Sequence, residues 1–354
     1  MRHLIIRNFG PVHEADIQLG AVNVIIGMQS SGKSCVLKTT CYCAWVEKRL
    51  QLAQKPNGFG KGSGFMDLLA DYYKMGGYVR PDTYIEYETD HVRFSYDHAK
   101  QLFNYEWKTD RWNWRRPKVS YVPADRNLVA AIPGWSSLSL DGNMIEFMSD
   151  WDRARRFLKR EENILGTGIT YEYNEASNTD IVITPTGQRL DLTSSSSGLQ
   201  SLIPQFVHLD YIFNGQYRDS RKYISYEKKQ EQDSLLSLIK DEGTYHRFIT
   251  TDHSDIFLEE PEQNLFPPTQ FQLMDWILEM MANPLHRNTL FIATHSPYVL
   301  GHVLQENLKD FSLMLTYPLP EEGMFSVKMA SDEDIQGIYD NGSDAFFNFE
   351  PFTV

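Results

Sequence analysis

Val22-Asn23-Val24-Ile25-Ile26-Gly27-Met28-Gln29-Ser30-Ser31-Gly32-Lys33-Ser34 is the stretch that decides the fold. An apolar run short enough for a buried strand delivers the pattern G-x-x-x-x-G-K-[ST], and a helix is expected from Lys33 to about Ala53. This strand-loop-helix context gives the pattern its meaning. Glycines let successive backbone N–H groups turn inward around phosphate oxygens, and the helix start adds unpaired N–H groups and a positive dipole end. Lys33 then supplies a point charge for the β and γ phosphates, and the Ser34 hydroxyl is a ligand for Mg²⁺. Gly27, Gln29, Ser30, Ser31, Gly32, Lys33, Ser34 and Cys35 are the expected nucleotide contacts.

Three further motifs follow in order: Ser194 to Gln200 (SSSSGLQ), Phe257 to Glu262 (FLEEPE) and Ala293 to Pro297 (ATHSP). Working outward from them, strands are expected at Leu4–Arg7, Ala15–Leu19, Val119–Val122, Thr170–Tyr173, Asp180–Thr184, Thr289–Ile292, Ser312–Thr316 and Phe325–Met329. Alternation at Thr83–Thr89, His91–Tyr96 and Leu102–Trp107 reads as an antiparallel meander. Helices are expected over Asn143–Asn163, Leu199–Phe213, Pro268–Met281 and Pro297–Glu306. Gly58 to Gly64 is too glycine-rich for regular structure and reads as a mobile loop, and the polar stretch Arg218–Glu242 reads as a surface helix. No repeat and no long heptad pattern is evident.

The 354 residues suffice for one large domain or two ordinary ones, and a single domain over residues 1–354 is expected. Within it, residues 58–118 read as a β-rich, basic insertion, 143–165 as a helical segment, 215–250 as a polar helical insertion and 308–354 as a short C-terminal extension. The N-terminus lacks a signal pattern, and no apolar run approaches the roughly 18 residues of a membrane span. Cys35, Cys41 and Cys43 lie on one helix and read as small buried hydrophobes, which fits a reducing, cytoplasmic setting.

A net charge of −13 argues against a general nucleic-acid coat. Two basic clusters stand out nonetheless. Arg111, Trp112, Trp114, Arg115, Arg116 and Lys118 mix cations with aromatics in a way suited to DNA or RNA, with a solvated strand end as the alternative. Arg153, Arg155, Arg156, Lys159 and Arg160 form either a phosphate-contacting helix face or a charged face balancing Glu161 and Glu162.

Taken together, the four motifs and Tyr121-Val122-Pro123-Ala124-Asp125-Arg126 resemble the ABC-type ATPase heads of the RecF, SMC and OLD group. Leu258 to Pro267 (LEEPEQNLFP) with Ala293 to Pro297 resembles the OLD-like members found in bacterial anti-phage systems. The resemblance implies an α/β P-loop ATPase head with an antiparallel β subdomain and a helical subdomain, using ATP and Mg²⁺. It also implies roles. Glu260 would orient or deprotonate the attacking water, His295 would be the switch histidine at the γ-phosphate, and Ser196, Ser197 and Gly198 would be the signature that caps the nucleotide of the opposite subunit. Glu259 stands where most relatives have an aspartate supporting Mg²⁺. Arg126 is a candidate for pairing with phosphate or with the partner's acidic edge, or for a structural salt bridge with Asp125 or another carboxylate; Asn264 and Leu265 fall at a dimer-coupling loop, with a helix cap as the alternative for Asn264. Because a signature cannot reach its own phosphate loop, a two-fold dimer sandwiching ATP is expected. The stretch after His295 is too short for the nuclease domain many OLD proteins carry, so a separate effector, a nuclease or toxin, is the expected partner. A scaffold that binds ATP without turnover is the alternative.

Overall fold

The computed structural model describes residues 2–56, 58–132, 142–219, 235–306, 308–319 and 323–341. Among these, the strands are β1 Arg2–Phe9, β2 Val12–Leu19, β3 Val22–Ile26, β4 Val79–Glu88, β5 Val92–Asp97, β6 Leu102–Trp107, β7 Arg116–Val122, β8 Arg160–Glu161, β9 Thr170–Asn174, β10 Thr179–Ile183, β11 Arg189–Asp191, β12 Thr251–Glu259, β13 Thr289–Ala293, β14 Phe311–Pro318 and β15 Phe325–Met329. The main helices are α1 Lys33–Ala53, α2 Gly64–Tyr73, α3 Asn143–Leu158, α4 Ser197–Asp210, α5 Glu242–Ile249, α6 Pro267–Met281, α7 Pro297–Gln305 and α8 Asp332–Asn341.

One sheet runs β6-β5-β4-β1-β2-β15-β14-β3-β13-β12-β7, and a second, β11-β10-β9-β8, stands apart. The β14-β3-β13-β12-β7 half is wholly parallel. Its central strands are apolar on both faces, as parallel strands covered by helices must be. Ile256 and Leu258 of β12 face one core while Phe257 faces the other, stacked on Phe291 at 4.4 Å between ring centroids. On the first face lie α3, α4, α6 and α7; on the second lie α1, α2 and the antiparallel strands. The fold is therefore α/β, with an antiparallel β part and a helical part, as expected.

Register carries the motifs to one edge. Ala293 pairs with Ile25 and with Glu259, Leu258 with Val122, and Leu315 with Ile26. The chain therefore leaves β3, β12, β13 and β7 at the same level, at the carboxyl end of the parallel strands.

Local differences have identifiable causes. The meander β4-β5-β6 is continuous with the main sheet through β1, so the antiparallel part extends the sheet itself. Within the glycine-rich stretch, Phe59 is 3% exposed and packs on Trp45, Phe65 and Phe103, which anchors the loop that leads into α2. No period signalled α2. The α3 helix stops at Leu158, because Lys159 takes a left-handed conformation and Arg160 enters β8 against Glu172. Glu227 to Asp233, the charged core of the expected polar helix, lies outside the described residues, as does the end of the chain from residue 342.

Candidate functional site

The phosphate loop is shaped by backbone conformations that side chains resist. Gly27 and Gly32 have φ of 154° and 97°, and Ser30 takes 61°. A Cβ on Gly27 would stand 1.7 Å from Thr316 Oγ1, so glycine is required there by contact as well as by conformation. Thr316 braces the loop from β14. Its hydroxyl meets Ser31 Oγ at 2.5 Å and donates to the Ile26 carbonyl at 3.3 Å. Gly32 caps α1 without any side chain, leaving the first helical N–H groups to an anion.

Lys33 is 4% exposed and donates to the carbonyls of Gly27 at 3.0 Å and Met28 at 2.6 Å. Burial brings its ammonium down to about 8, against the opposing pull of Glu260 and Glu262. The lysine thus sits curled on its own loop, and an incoming phosphate would exchange weak carbonyl partners for a strong one. Cys35 is buried two residues further, its thiol directed at the Phe9 carbonyl and pushed up to about 12 by burial, so it is inert.

β12 delivers the two glutamates differently. Glu259, still in the strand, accepts from the Tyr121 hydroxyl at 2.5 Å and lies 3.6 Å from Lys38 Nζ. Burial pushes its carboxyl up, but Lys38, the Ser34 hydroxyl, Tyr121 and the Ala124 N–H together hold it below the usual range. Ser34 and Glu259, the expected metal ligands, therefore face each other directly, and both are oxygen donors suited to a hard cation. Glu260 leaves the strand at φ 46°, a conformation few non-glycine residues adopt, while its N–H donates to Ala293. Burial, Glu262 and Glu259 raise its carboxyl above the ordinary value, with Lys33 and Arg126 opposing. That is the direction a general base near neutral pH needs.

His295 stands 3.6 Å from Glu260 Oε1 through Nε2. Burial and Lys33 push it below its ordinary value, which favours the neutral ring. The backbone N–H of His295 donates to Glu262 Oε1 at 2.7 Å, so the second glutamate of the E-P-E run positions the histidine loop. Thr294 and Ser296 complete that loop: Thr294 Oγ1 accepts from the Ser296 N–H, and Ser296 caps α7 and donates to Gln270 of α6. Thr316, Tyr121, Lys38, Glu262 and Gln270 were not singled out from sequence. Only Glu262 and Tyr121 fell inside a quoted motif; the others come from separate elements that carry no pattern of their own.

Ser196 caps α4, its hydroxyl accepting from the Leu199 N–H at 3.4 Å, and Ser197 opens the helix. A Cβ on Gly198 would stand 3.1 Å from the Asn264 carbonyl, and Asn264 Nδ2 donates to Ser201 Oγ at 3.0 Å. The serine run is thus coupled to the loop that follows Glu260, and Asn264 ties that loop to α4.

Arg126 is occupied elsewhere. It is fully buried and donates to the carbonyls of Pro123, Glu259, Glu260 and Pro261 at 2.9–3.3 Å. Its hydrogen bonds go to carbonyls, not to the expected phosphate, partner's acidic edge, Asp125 or another carboxylate; it clasps the ends of β7 and β12. Burial brings it down to about 10, resisted by Glu262, Glu260 and Glu259.

The basic clusters are also engaged internally. Trp114 is 3% exposed and packs with Phe248, Leu52, Leu235 and Ile239 in a small core of its own. Arg111 lies over Trp112 and Trp107, Arg115 meets Asp252 at 2.8 Å, and Arg116 donates to Ile249. On the helix, Arg155 is buried against Asp152 and Asp180, Arg156 pairs with Asp152 and Glu175, and Arg153 approaches Asp150 at 3.9 Å; just beyond it, in β8, Arg160 pairs with Glu162 and Glu172. A polar cavity of about 540 Å³ lies at the opposite end of β12 and β13, lined by Arg2, Glu47, Arg115, Asp252 and Thr289. It is remote from the motifs.

No family model matches the chain, and no curated protein matches it. Among solved structures, it is similar to the SMC head domain from Thermotoga maritima, at 13% identity and a TM-score of 0.46 over 94% of this chain and all of that one. It is also similar to the Smc head with an extended coiled coil bound to the C-terminal domain of ScpA from Pyrococcus furiosus, at 9% identity and a TM-score of 0.45 over 96% and 99% of the two chains. The Smc head with a coiled coil and joint from Pyrococcus yayanosii follows at 8% identity and a TM-score of 0.44, again over 96% and 99%. No helix among the described residues is long and apolar enough to cross a membrane.

Proposed function

We propose that this chain is a Mg²⁺-dependent ATPase head of the ABC type that closes as a two-fold dimer over ATP. The carrying observation is the convergence of Lys33, Ser34, Glu259, Glu260 and His295 at the carboxyl edge of the parallel strands. In this reading the loop N–H groups and Lys33 hold the phosphates. Ser34 and Glu259 would hold Mg²⁺, which would supply positive charge against the phosphate oxygens. Glu260, with its raised carboxyl, orients the attacking water and accepts its proton, and neutral His295 donates to the γ-phosphate. Ser196 to Gly198 would complete the pocket from the partner protomer, so nucleotide binding draws two heads together and hydrolysis releases them.

Such a cycle suits a sensor or regulator of a separate effector, and the OLD-like motifs favour an anti-phage or DNA-maintenance setting in the cytoplasm. The paired state of the arginine clusters lends no support to nucleic-acid contact through them. The test is Glu260→Gln. With ATP and Mg²⁺ it should run as a dimer by light scattering while phosphate release falls on the order of 10²–10⁴-fold. A wild type that binds ATP but releases no phosphate would instead favour the scaffold. A Glu260→Gln protein that stays monomeric while its nucleotide binding persists would end the dimer reading.

A further inference from the structure

Between α1, α2, α3 and β7 lies a cavity of about 160 Å³. Its wall is largely aromatic, formed by Tyr42, Trp45, Tyr72, Tyr73 and Tyr121, with Glu146 at the rim. Tyr73 meets Tyr121 edge-to-face at 5.3 Å. The Tyr121 hydroxyl is the same one that donates to Glu259 Oε2. One side chain therefore belongs both to this cavity and to the support of an expected Mg²⁺ ligand. α1 makes a second link, since it lines the cavity with Tyr42 and Trp45 and begins at Lys33.

We propose that this cavity binds a small uncharged aromatic molecule bearing one N–H or O–H donor, of phenol or indole size, and that occupancy alters nucleotide binding through Tyr121 and Glu259. The volume fits, because an apolar cavity of about 150 Å³ holds a benzene-sized guest. The rim sets the polarity. Glu146 already accepts from the Tyr72 hydroxyl and lies 3.8 Å from Lys118 Nζ, which is held first by Asp150 at 2.5 Å, so the rim carboxylate remains an acceptor while its side chain stays half exposed. It can accept one more hydrogen bond, and it repels an anion. The regulatory half rests on the reading of Glu259 as a metal ligand; the binding half does not.

Calorimetry on the full chain tests both halves, with phenol as probe and tetramethylammonium as the cationic control. Leu68 lines the mouth and is 42% exposed, so Leu68→Trp should close the cavity while preserving the fold, with Leu68→Phe as the milder variant. Phenol should bind saturably to the wild type and at least tenfold more weakly to the blocked variant, and tetramethylammonium should not bind. Saturating phenol should shift the affinity for ATP with Mg²⁺ at least threefold in the wild type alone. Absence of saturable phenol binding, binding indifferent to both Leu68 variants, or preference for the cation would overturn the site. Phenol binding with unchanged ATP affinity would overturn the coupling. If ATP itself does not bind, the phenol titration still reads the cavity, so the two failures are distinct.

Discussion

The carboxyl edge of the parallel strands and the Arg111–Lys118 segment both present cations beside unusual neighbours, yet they differ in how those groups are satisfied. In the segment, each charge ends on a carboxylate, a carbonyl or an aromatic face, and Trp114 is core. At the edge, among the described residues, Lys33 donates to loop carbonyls alone, Glu260 holds a left-handed conformation, and Glu262 Oε2 is buried without a partner. Conformational cost and unspent hydrogen-bonding capacity coincide at this edge, where a ligand would repay them. Where everything is already paired, the same residue types build structure.

The comparison breaks most visibly at Trp114. If it is core, Trp114→Ala should cost about 3–5 kcal/mol in denaturant unfolding. A variant of unchanged stability that loses single-stranded DNA binding would reverse the assignment. Arg155→Met should come next, because it leaves Asp180 buried beside Tyr171 without its cation. A loss of about 3–5 kcal/mol is expected for breaking a buried pair, whereas Arg111→Ala on the surface should move stability by no more than about 0.5 kcal/mol.

His208 sharpens the contrast from inside the core. Burial brings it down to about 4 from an ordinary 6.5, with Asp150 opposing, and its Nε2 meets Ser120 Oγ at 2.8 Å. The unfolded chain then binds the extra proton first, so stability should fall as pH drops from about 6.5 towards 4. A His208→Gln variant should flatten that slope in pH-dependent melting.

The smallest effect is the most specific to the phosphate loop. With Lys33 near 8 in the free protein, phosphate binding should raise it, so ATP binding at pH 8 to 8.5 should take up a fraction of a proton. Calorimetry in buffers of different ionisation enthalpy measures this, and Lys33→Met should abolish the uptake.

What could be read in the chain beforehand followed from period and punctuation. The apolar run before Gly27, the alternation of the meander and the prolines opening α6 and α7 each encode their element locally. α2 was missed because its start is Gly64, and its reason for existing is packing of Phe65 against Phe94, Tyr96 and Phe103. The braces of the site, Thr316 from β14 and Tyr121 from β7, depend on register between strands far apart in sequence, which no local pattern reports. The arginine-rich stretches stayed open between two readings for the opposite reason: composition shows the cations but not the aspartates folded against them.

One guanidinium gathering four carbonyl oxygens from two turns behaves as a jig for the glutamate beside it. Its flat, forked shape spans oxygens that a lysine's single ammonium could not span together. Replacing Arg126 by lysine would therefore leave every reacting group chemically intact and still slacken the bend that aims Glu260. An inactive head whose pocket looks complete should be sought there, one layer beneath the chemistry.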